Sequence, residues 1–186
     1  MSADHDATAS DVTASDAKPV DRIVIVGASL AGLRAAETLR EEGFTGSLTL
    51  IGEERQEPYD RPPLSKQVLL GRTASEHTAL PRRRALNAEW RLGVRATGLD
   101  LANKRVRLAD GKEVGFDRLL IATGVRARPW PNPAQAGLDG VHVLRTSDDA
   151  RLLVDELNGP TVTVTGHLPD ERRVSLALSP PLRRHP

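Results

Sequence analysis

No cysteine occurs in the 186 residues. That absence excludes disulfide cross-links, thiolate zinc sites, cysteine-ligated iron–sulfur clusters and any CxxC redox relay. Aromatic residues make up only 3% of the chain, too few for a platform on which single-stranded nucleic acid could stack. Neither sign of charge dominates. The 26 basic and 25 acidic residues leave a net charge of +1, which gives no electrostatic ground for a nucleic-acid or membrane partner. No apolar run approaches the ~18 residues of a bilayer span. The N-terminus has neither the basic nor the apolar stretch of a secretory signal, and a cytoplasmic protein is expected. The histidines His5, His77, His142, His167 and His185 include no pair at metal-ligand spacing, so no metal site is expected. No Ser-His-Asp order or carboxylate pair points to hydrolysis. Against these absences, 39% of the residues are hydrophobic, enough for the core of one domain with extensions.

Residues 1–20 are rich in Ser, Thr, Ala and Asp without periodicity and predict a disordered tail. From Asp21 the character changes. Ile23-Val24-Ile25-Val26 is a short β-branched run ending in Gly27, the pattern of a buried strand. Leu33, Ala36 and Leu39 then recur near helical spacing over residues 30–42, and Gly43 supplies a stop. Residues 48–51 form a second β-like run, completing a βαβ unit with an expected right-handed crossover. A proline-fixed loop follows at 57–66 and a helix is predicted over 75–90. Three β-like runs at 93–99, 104–108 and 112–116 predict a small antiparallel meander, with turns at Asn103 and Asp110-Gly111. Residues 119–122 form the next core strand. Ser147-Asp148-Asp149 predicts an N-cap and acidic first turn for a helix to about residue 157. Residues 161–165 alternate as a strand does, and 167–186 give no assignable pattern. The expected fold is α/β and Rossmann-like, with a parallel central sheet plus the meander. The expected units are a partial domain over 21–150 and an atypical segment over 151–186.

Gly27-Ala28-Ser29-Leu30-Ala31-Gly32 has the spacing of a dinucleotide fingerprint, set between a strand and a helix, with Ser29 at the second glycine position. Gly27 allows the tight turn, and Gly32 lets the helix approach the sheet. Position 29 must be small where a diphosphate meets the backbone, and the serine hydroxyl can donate to it. The helix N-terminus offers unpaired N–H groups and the positive end of its dipole. Glu53 follows Gly32 by 21 residues, the place of a carboxylate that accepts from an adenosine ribose. These features leave open which dinucleotide binds.

The segment Pro58-Tyr59-Asp60-Arg61-Pro62-Pro63-Leu64-Ser65-Lys66 resembles one found in the ferredoxin reductases of oxygenase systems, the rubredoxin reductases and the apoptosis-inducing-factor group. Ile121-Ala122-Thr123-Gly124 followed by Arg128 resembles their second FAD signature. The resemblance runs from about Arg22 to Asp149. It implies that the first dinucleotide site holds FAD, through Gly27, Ser29, Leu30, Ala31, Gly32 and Glu53. It implies further contacts for Arg61 at the phosphates, Lys66 near the flavin ring, Thr123 and Gly124 along the cofactor, and Arg128 at a phosphate. Lys66 would also be the catalytic group, because a cation near flavin N5 stabilises the negative charge that reduction creates. Full-length relatives also use NAD(P)H and pass electrons to a ferredoxin-type iron–sulfur protein.

The chain departs from that family after the Thr146-to-Ala150 helix start. A second glycine motif should follow a strand near Val162, but the chain reads Gly166-His167-Leu168-Pro169. Proline offers no N–H to a phosphate, so the nicotinamide site is expected to be absent and the chain to be a truncated N-terminal portion. Two alternatives stay open: a non-catalytic remnant or interaction module, and a site that takes NAD(P) in place of FAD. Arg82-Arg83-Arg84 with Arg91 and Arg95 are read as a solvated face, with docking of an acidic protein as the other reading.

Overall fold

The computed structural model describes residues 19–129, 131–136, 141–157, 162–167 and 173–178. The tail expected over residues 1–20 lies, except for Pro19 and Val20, outside the described residues.

The β-branched run forms β1 (Arg22–Val26), and α1 (Leu30–Glu41) and β2 (Ser47–Gly52) complete the βαβ unit. Further along the chain come β3 (Glu89–Leu92), β4 (Ala96–Asp100), β5 (Arg105–Leu108), β6 (Glu113–Gly115) and β7 (Arg118–Ile121). Then follow α2 (Pro133–Ala136), α3 (Ser147–Leu157), β8 (Val162–His167) and β9 (Arg173–Leu178). Four strands make a parallel sheet in the order β3-β2-β1-β7. Strands β4, β5 and β6 make the antiparallel meander, with an irregularity between Ala96 and Gly98.

Side-chain alternation along β1 and β2 divides the core between the two faces of the parallel sheet. Ile25, Leu48 and Leu50 point to the helical side, where they pack with Leu33 and Ala36 of α1 and with Leu86. Val24 and Ile51 point to the other side and meet Val106, Leu108, Val114 and Phe116 of the meander. The meander therefore covers the face opposite α1, giving helix, sheet, sheet in three layers. Each fully buried aliphatic side chain here contributes about 1.5–3 kcal/mol of transfer free energy. A third cluster joins Tyr59, Leu64 and Val68 to Ala150, with Leu144 and Val154 alongside. It ties the proline loop to α3.

Residues 75–90 do not form the expected helix. A single 3₁₀ turn covers Ser75–Thr78, and β3 begins at Glu89. Pro81 has no N–H and its ring obstructs the preceding turn of a helix. Past it, the backbone finds partners outside itself. The Arg83 N–H donates to the buried Glu37 carboxylate at 2.7 Å. Arg40 of α1 donates to the carbonyls of Leu86 and Asn87 and links them to those of Phe44 and Gly46 in the turn before β2. Held at so many points, residues 83–87 run irregularly along α1 and deliver Trp90 to the sheet edge. The proline loop is also more structured than expected, since Leu64–Val68 forms a π-helical turn entered from Pro63.

The start of α3 differs from its expected form by one residue. Thr146, not Ser147, is the cap. Its hydroxyl accepts from the Asp149 N–H at 3.1 Å, while the Asp149 carboxylate accepts the Thr146 N–H at 2.7 Å. This is a reciprocal capping box. The strand expected at 161–165 is present as β8, paired antiparallel with β9. Residues 168–172 and 179–186 of the unassigned segment lie outside the described residues.

Candidate functional site

The C-terminal ends of the parallel strands converge where β1 turns into α1, the position at which open α/β sheets bind ligands. Gly27 has φ +121° and Gly32 sits in the first turn of α1. A Cβ on Gly27 would lie 2.0 Å from the Ala122 carbonyl oxygen, and one on Gly32 would lie 1.9 Å from the Gly27 carbonyl oxygen. Both approaches exclude any side chain. The bend is therefore packed as tightly as the fingerprint argument requires.

Most of its amides are left unpaired. The Gly27 N–H donates to Ile51 and the Leu33 N–H to Ser29. Among the described residues, no hydrogen-bond partner falls to the amides of Ala28, Ser29, Leu30, Ala31 and Gly32. Ser29 is the N-cap residue, yet its hydroxyl makes no capping bond. Leu30 is half exposed beside it. Unpaired helix-end donors in a bend that two glycines keep tight make a cradle for an anion.

Ala122 follows β7 directly and lies with Thr123 against this bend, and Gly124 comes next. The Ala122 N–H donates to the Val26 carbonyl at 2.7 Å, and Thr123 N would be 3.0 Å from a Cβ on Gly27. The structure also brings in Arg145, which the sequence reading passed over. A guanidinium nitrogen of Arg145 lies 3.6 Å from the Cβ position of Gly124. The side chain is only partly exposed, and its guanidinium has no hydrogen-bond or ion-pair partner among the described residues. A signal was available. Arg145 immediately precedes the Thr146-x-x-Asp149 capping box, which fixes the backbone that carries it.

Glu53 lies just past β2 at the same edge, mostly exposed. Its carboxylate faces Arg126 at 3.3 Å and Arg95 at 3.8 Å. Arg61 is turned inward. It donates to Glu54, to the Tyr59 hydroxyl at 2.9 Å and to the Arg145 carbonyl at 2.9 Å. Among the described residues, these bonds leave its Nε–H and one Nη2–H without a partner. Burial raises the Tyr59 pKa well above that of a free phenol, and the hydrogen bond to Glu54 adds to the shift. The hydroxyl therefore stays protonated. Lys66 and Arg128 are exposed and unpaired among the described residues. The structure does not bring either into contact with the cradle.

The arginine triplet does not form a free basic patch. Arg82 pairs with Glu57 and stacks on Trp90, and Arg84 pairs with Glu41. Arg91 and Arg95 face Glu89 and Glu53. Among the described residues no group of His, Asp or Glu is arranged to hold a metal ion, and no helix is long and apolar enough to cross a membrane.

A parallel sheet with a glycine bend feeding a helix, covered on its other face by a meander, defines a Rossmann-like nucleotide-binding fold of the FAD-binding reductase type. The profile of the pyridine nucleotide-disulphide oxidoreductase family matches residues 21–167, and the chain belongs to that family. It is 40% identical over 151 residues to the ferredoxin–NAD(+) reductase component of the p-cumate 2,3-dioxygenase system of Pseudomonas putida, covering 79% of this chain and 37% of that one. It is 40% identical over 139 residues to rhodocoxin reductase of Rhodococcus erythropolis, covering 73% and 32%. Among solved structures, the covalent putidaredoxin reductase–putidaredoxin complex is similar with a TM-score of 0.67 at 35% identity, covering 74% of this chain and 34% of that one. The chain thus spans about a third of the length of the relatives it matches.

Proposed function

We propose that this chain is an FAD-binding oxidoreductase module of the ferredoxin reductase type. The observation that carries the reading is the cradle between β1 and α1, where two side-chain-free contacts and a row of unpartnered amides fit a diphosphate. Arg145 supplies a partly buried cation beside it, and a buried cation of this kind is stabilised by an anionic ligand. The residues proposed to hold FAD are Gly27, Ser29, Leu30, Ala31 and Gly32 at the diphosphate, and Glu53 at the adenosine ribose. Thr123 and Gly124 lie beside the cradle with Arg145 next to Gly124, and Arg128 is proposed as a further phosphate contact. Arg61 contributes its remaining donors, and Lys66 is proposed as the cation near the ring. FAD when bound supplies the two-electron chemistry, and the chain's residues bind it, orient it and balance its charge. The acceptor would be a ferredoxin-type iron–sulfur protein, and the setting the cytoplasm. Residues 21–150 form the binding unit, and 151–186 lack the glycine motif that an NAD(P)H site needs.

Titration of the purified chain with FAD tests this directly. Bound flavin is expected to show a structured visible absorption band and to raise the unfolding midpoint. At a hundredfold excess over the dissociation constant, the gain is about 2.7 kcal/mol. No binding would reject the cofactor, and displacement of FAD by NADPH would favour the NAD(P) reading.

One observation favours the interaction-module reading as well. Strand β7 is the last in its sheet among the described residues, and Leu120, Ile121 and Val125 are exposed beside it. An open edge next to apolar side chains invites a partner strand. A cooperative unfolding transition that FAD leaves unmoved would support that reading over the first.

A further inference from the structure

We propose that Tyr59 is the positioning residue that holds the two ends of the cofactor site in register, acting through its hydroxyl on Arg145 and Glu53. The inference rests on the FAD reading above and deepens it.

The Tyr59 ring is buried, only 6% exposed, against Leu64, Val68 and Ala150. Three polar groups from three separate parts of the chain converge on its oxygen. It donates to the Glu54 carboxylate, and it accepts from Arg61 at 2.9 Å and from the Ser147 N–H at 3.0 Å. Every hydrogen-bonding direction of a phenol is then in use. Glu54 lies just beyond β2, one residue past Glu53. Arg61 belongs to the proline loop, five residues before Lys66. Ser147 opens α3, two residues past Arg145.

The backbone around Arg145 is tied down at successive points. Arg61 donates to the Arg145 carbonyl, Asp149 accepts the N–H groups of Arg145 and Thr146, and Tyr59 accepts the N–H of Ser147. A side chain projected from a backbone fixed in this way has few positions open to it. The Arg145 guanidinium beside Gly124 therefore depends on the same hydroxyl that anchors Glu54. Because Tyr59 itself is buried under these partners, its influence passes through them to the ligand. A network of this kind contributes more than the sum of its pairs, and double-mutant cycles measure that excess.

The test compares FAD dissociation constants of the full chain with those of Tyr59→Phe, Arg145→Gln and the double variant. The unfolding midpoints of the FAD-free proteins are measured in parallel. Each single change is expected to weaken FAD binding about tenfold, the scale of one lost charge-assisted or buried hydrogen bond. The double variant is expected to bind within a few fold of the weaker single one, because Arg145 without its anchor is already misplaced. The FAD-free midpoint is expected to fall in Tyr59→Phe and to be little changed by Arg145→Gln, alone or added to it. A merely structural role for Tyr59 would instead give multiplying losses of affinity, and that result overturns the inference, as does Tyr59→Phe binding FAD like the parent. Should Tyr59→Phe fail to fold, Glu54→Gln in the same cycle carries the test with the same two outcomes. A parent chain that binds no FAD overturns the cofactor reading and this inference with it. A parent that binds while the cycle is additive overturns the inference alone.

Discussion

Replacing Gly32 with alanine tests the packing of the cradle with one methyl group. The added Cβ would lie 1.9 Å from the Gly27 carbonyl oxygen and 3.3 Å from the Ile25 side chain. Ordinary contact begins near 3.4 Å, so the two groups must separate by about 1.5 Å. The oxygen belongs to backbone already bonded to Ile51, so the retreat falls on α1. Leu33 and Ala36, both fully buried on that helix, would lose contact with Ile25 and Leu50. A gap of 0.5–1 Å forfeits a quarter to a half of such dispersion. Overpacking and lost contact together cost about 2–4 kcal/mol. Alanine's better helix propensity offsets about 1 kcal/mol of this. The net loss is then roughly 1–3 kcal/mol, a large share of the ~5–15 kcal/mol of a small domain. FAD affinity should fall at least about tenfold, since the displaced amides are those proposed to meet the diphosphate. Gly43→Ala is the control. Its Cβ would meet nothing within 4 Å, but its φ is +84°, so it should lose about 1–2 kcal/mol from conformation alone and bind FAD unchanged. Urea unfolding with and without FAD reads both. A Gly32→Ala chain with the parent's midpoint and affinity would refute the close-packing argument, and loss of FAD binding in Gly43→Ala would refute its localisation.

Asp117 gives the acid response a specific source. Its hydrogen bond with Arg22 is the largest cause of a pKa lowered to about 2. A depressed carboxylate contributes stability above its ordinary pKa of about 4 and loses it as pH falls toward 2. Asp117→Asn should flatten the fall of the unfolding midpoint between those values, and an unchanged slope would count against the assignment. Glu37→Gln leaves Arg34 without its carboxylate in a nearly closed site, and a loss of about 1–3 kcal/mol is expected in urea unfolding. A variant as stable as the parent would show that the Glu37 clamp is not needed. Lys66→Met should make the potential of bound FAD more negative by about 20–40 mV, the equivalent of about 1–2 kcal/mol for a two-electron couple; an unchanged potential would remove Lys66 from the ring. FAD-loaded chain should accept electrons from dithionite but not from NADH, and sustained NADH-dependent dye reduction would disprove the expected lack of a nicotinamide site.

Most of the fold was legible because its central elements satisfy local and global demands together. The run of Ile and Val in β1 sits between two strands and buries both faces, so it reads as an unbroken apolar stretch. The meander announces itself through alternation and through Asp110-Gly111. Where the reading failed, tertiary partners overrode the local pattern. Residues 79–88 contain leucine and alanine at intervals that suit a helix, but Glu37 and Arg40 capture their backbone groups from across the chain. Pro81 was the visible warning. In the site, the glycine bend was readable because it depends on backbone geometry at fixed spacing, whereas Thr123 and Gly124 came only from the family resemblance. Arg145 was passed over: its neighbouring capping box was visible, but the bonds that hold its backbone, from Arg61 to its carbonyl and from its N–H to Asp149, exist only in the folded chain. The inward set of Arg61 likewise follows from Glu54, whose neighbour Glu53 drew the attention.

The strand order also has a consequence for synthesis. Strand β1 leaves the ribosome before the other strands of its sheet yet ends in the sheet's interior, and its outer neighbour β7 comes much later, with Arg22 and Asp117 separated by 95 residues. At about 5–20 residues per second, roughly 5–20 s pass before that pairing can form. During this interval the nascent chain holds out an apolar ribbon with one flank already zipped to β2 and the other bare. Translation speed through the meander therefore sets how long a chaperone or a neighbouring nascent chain has to seize it.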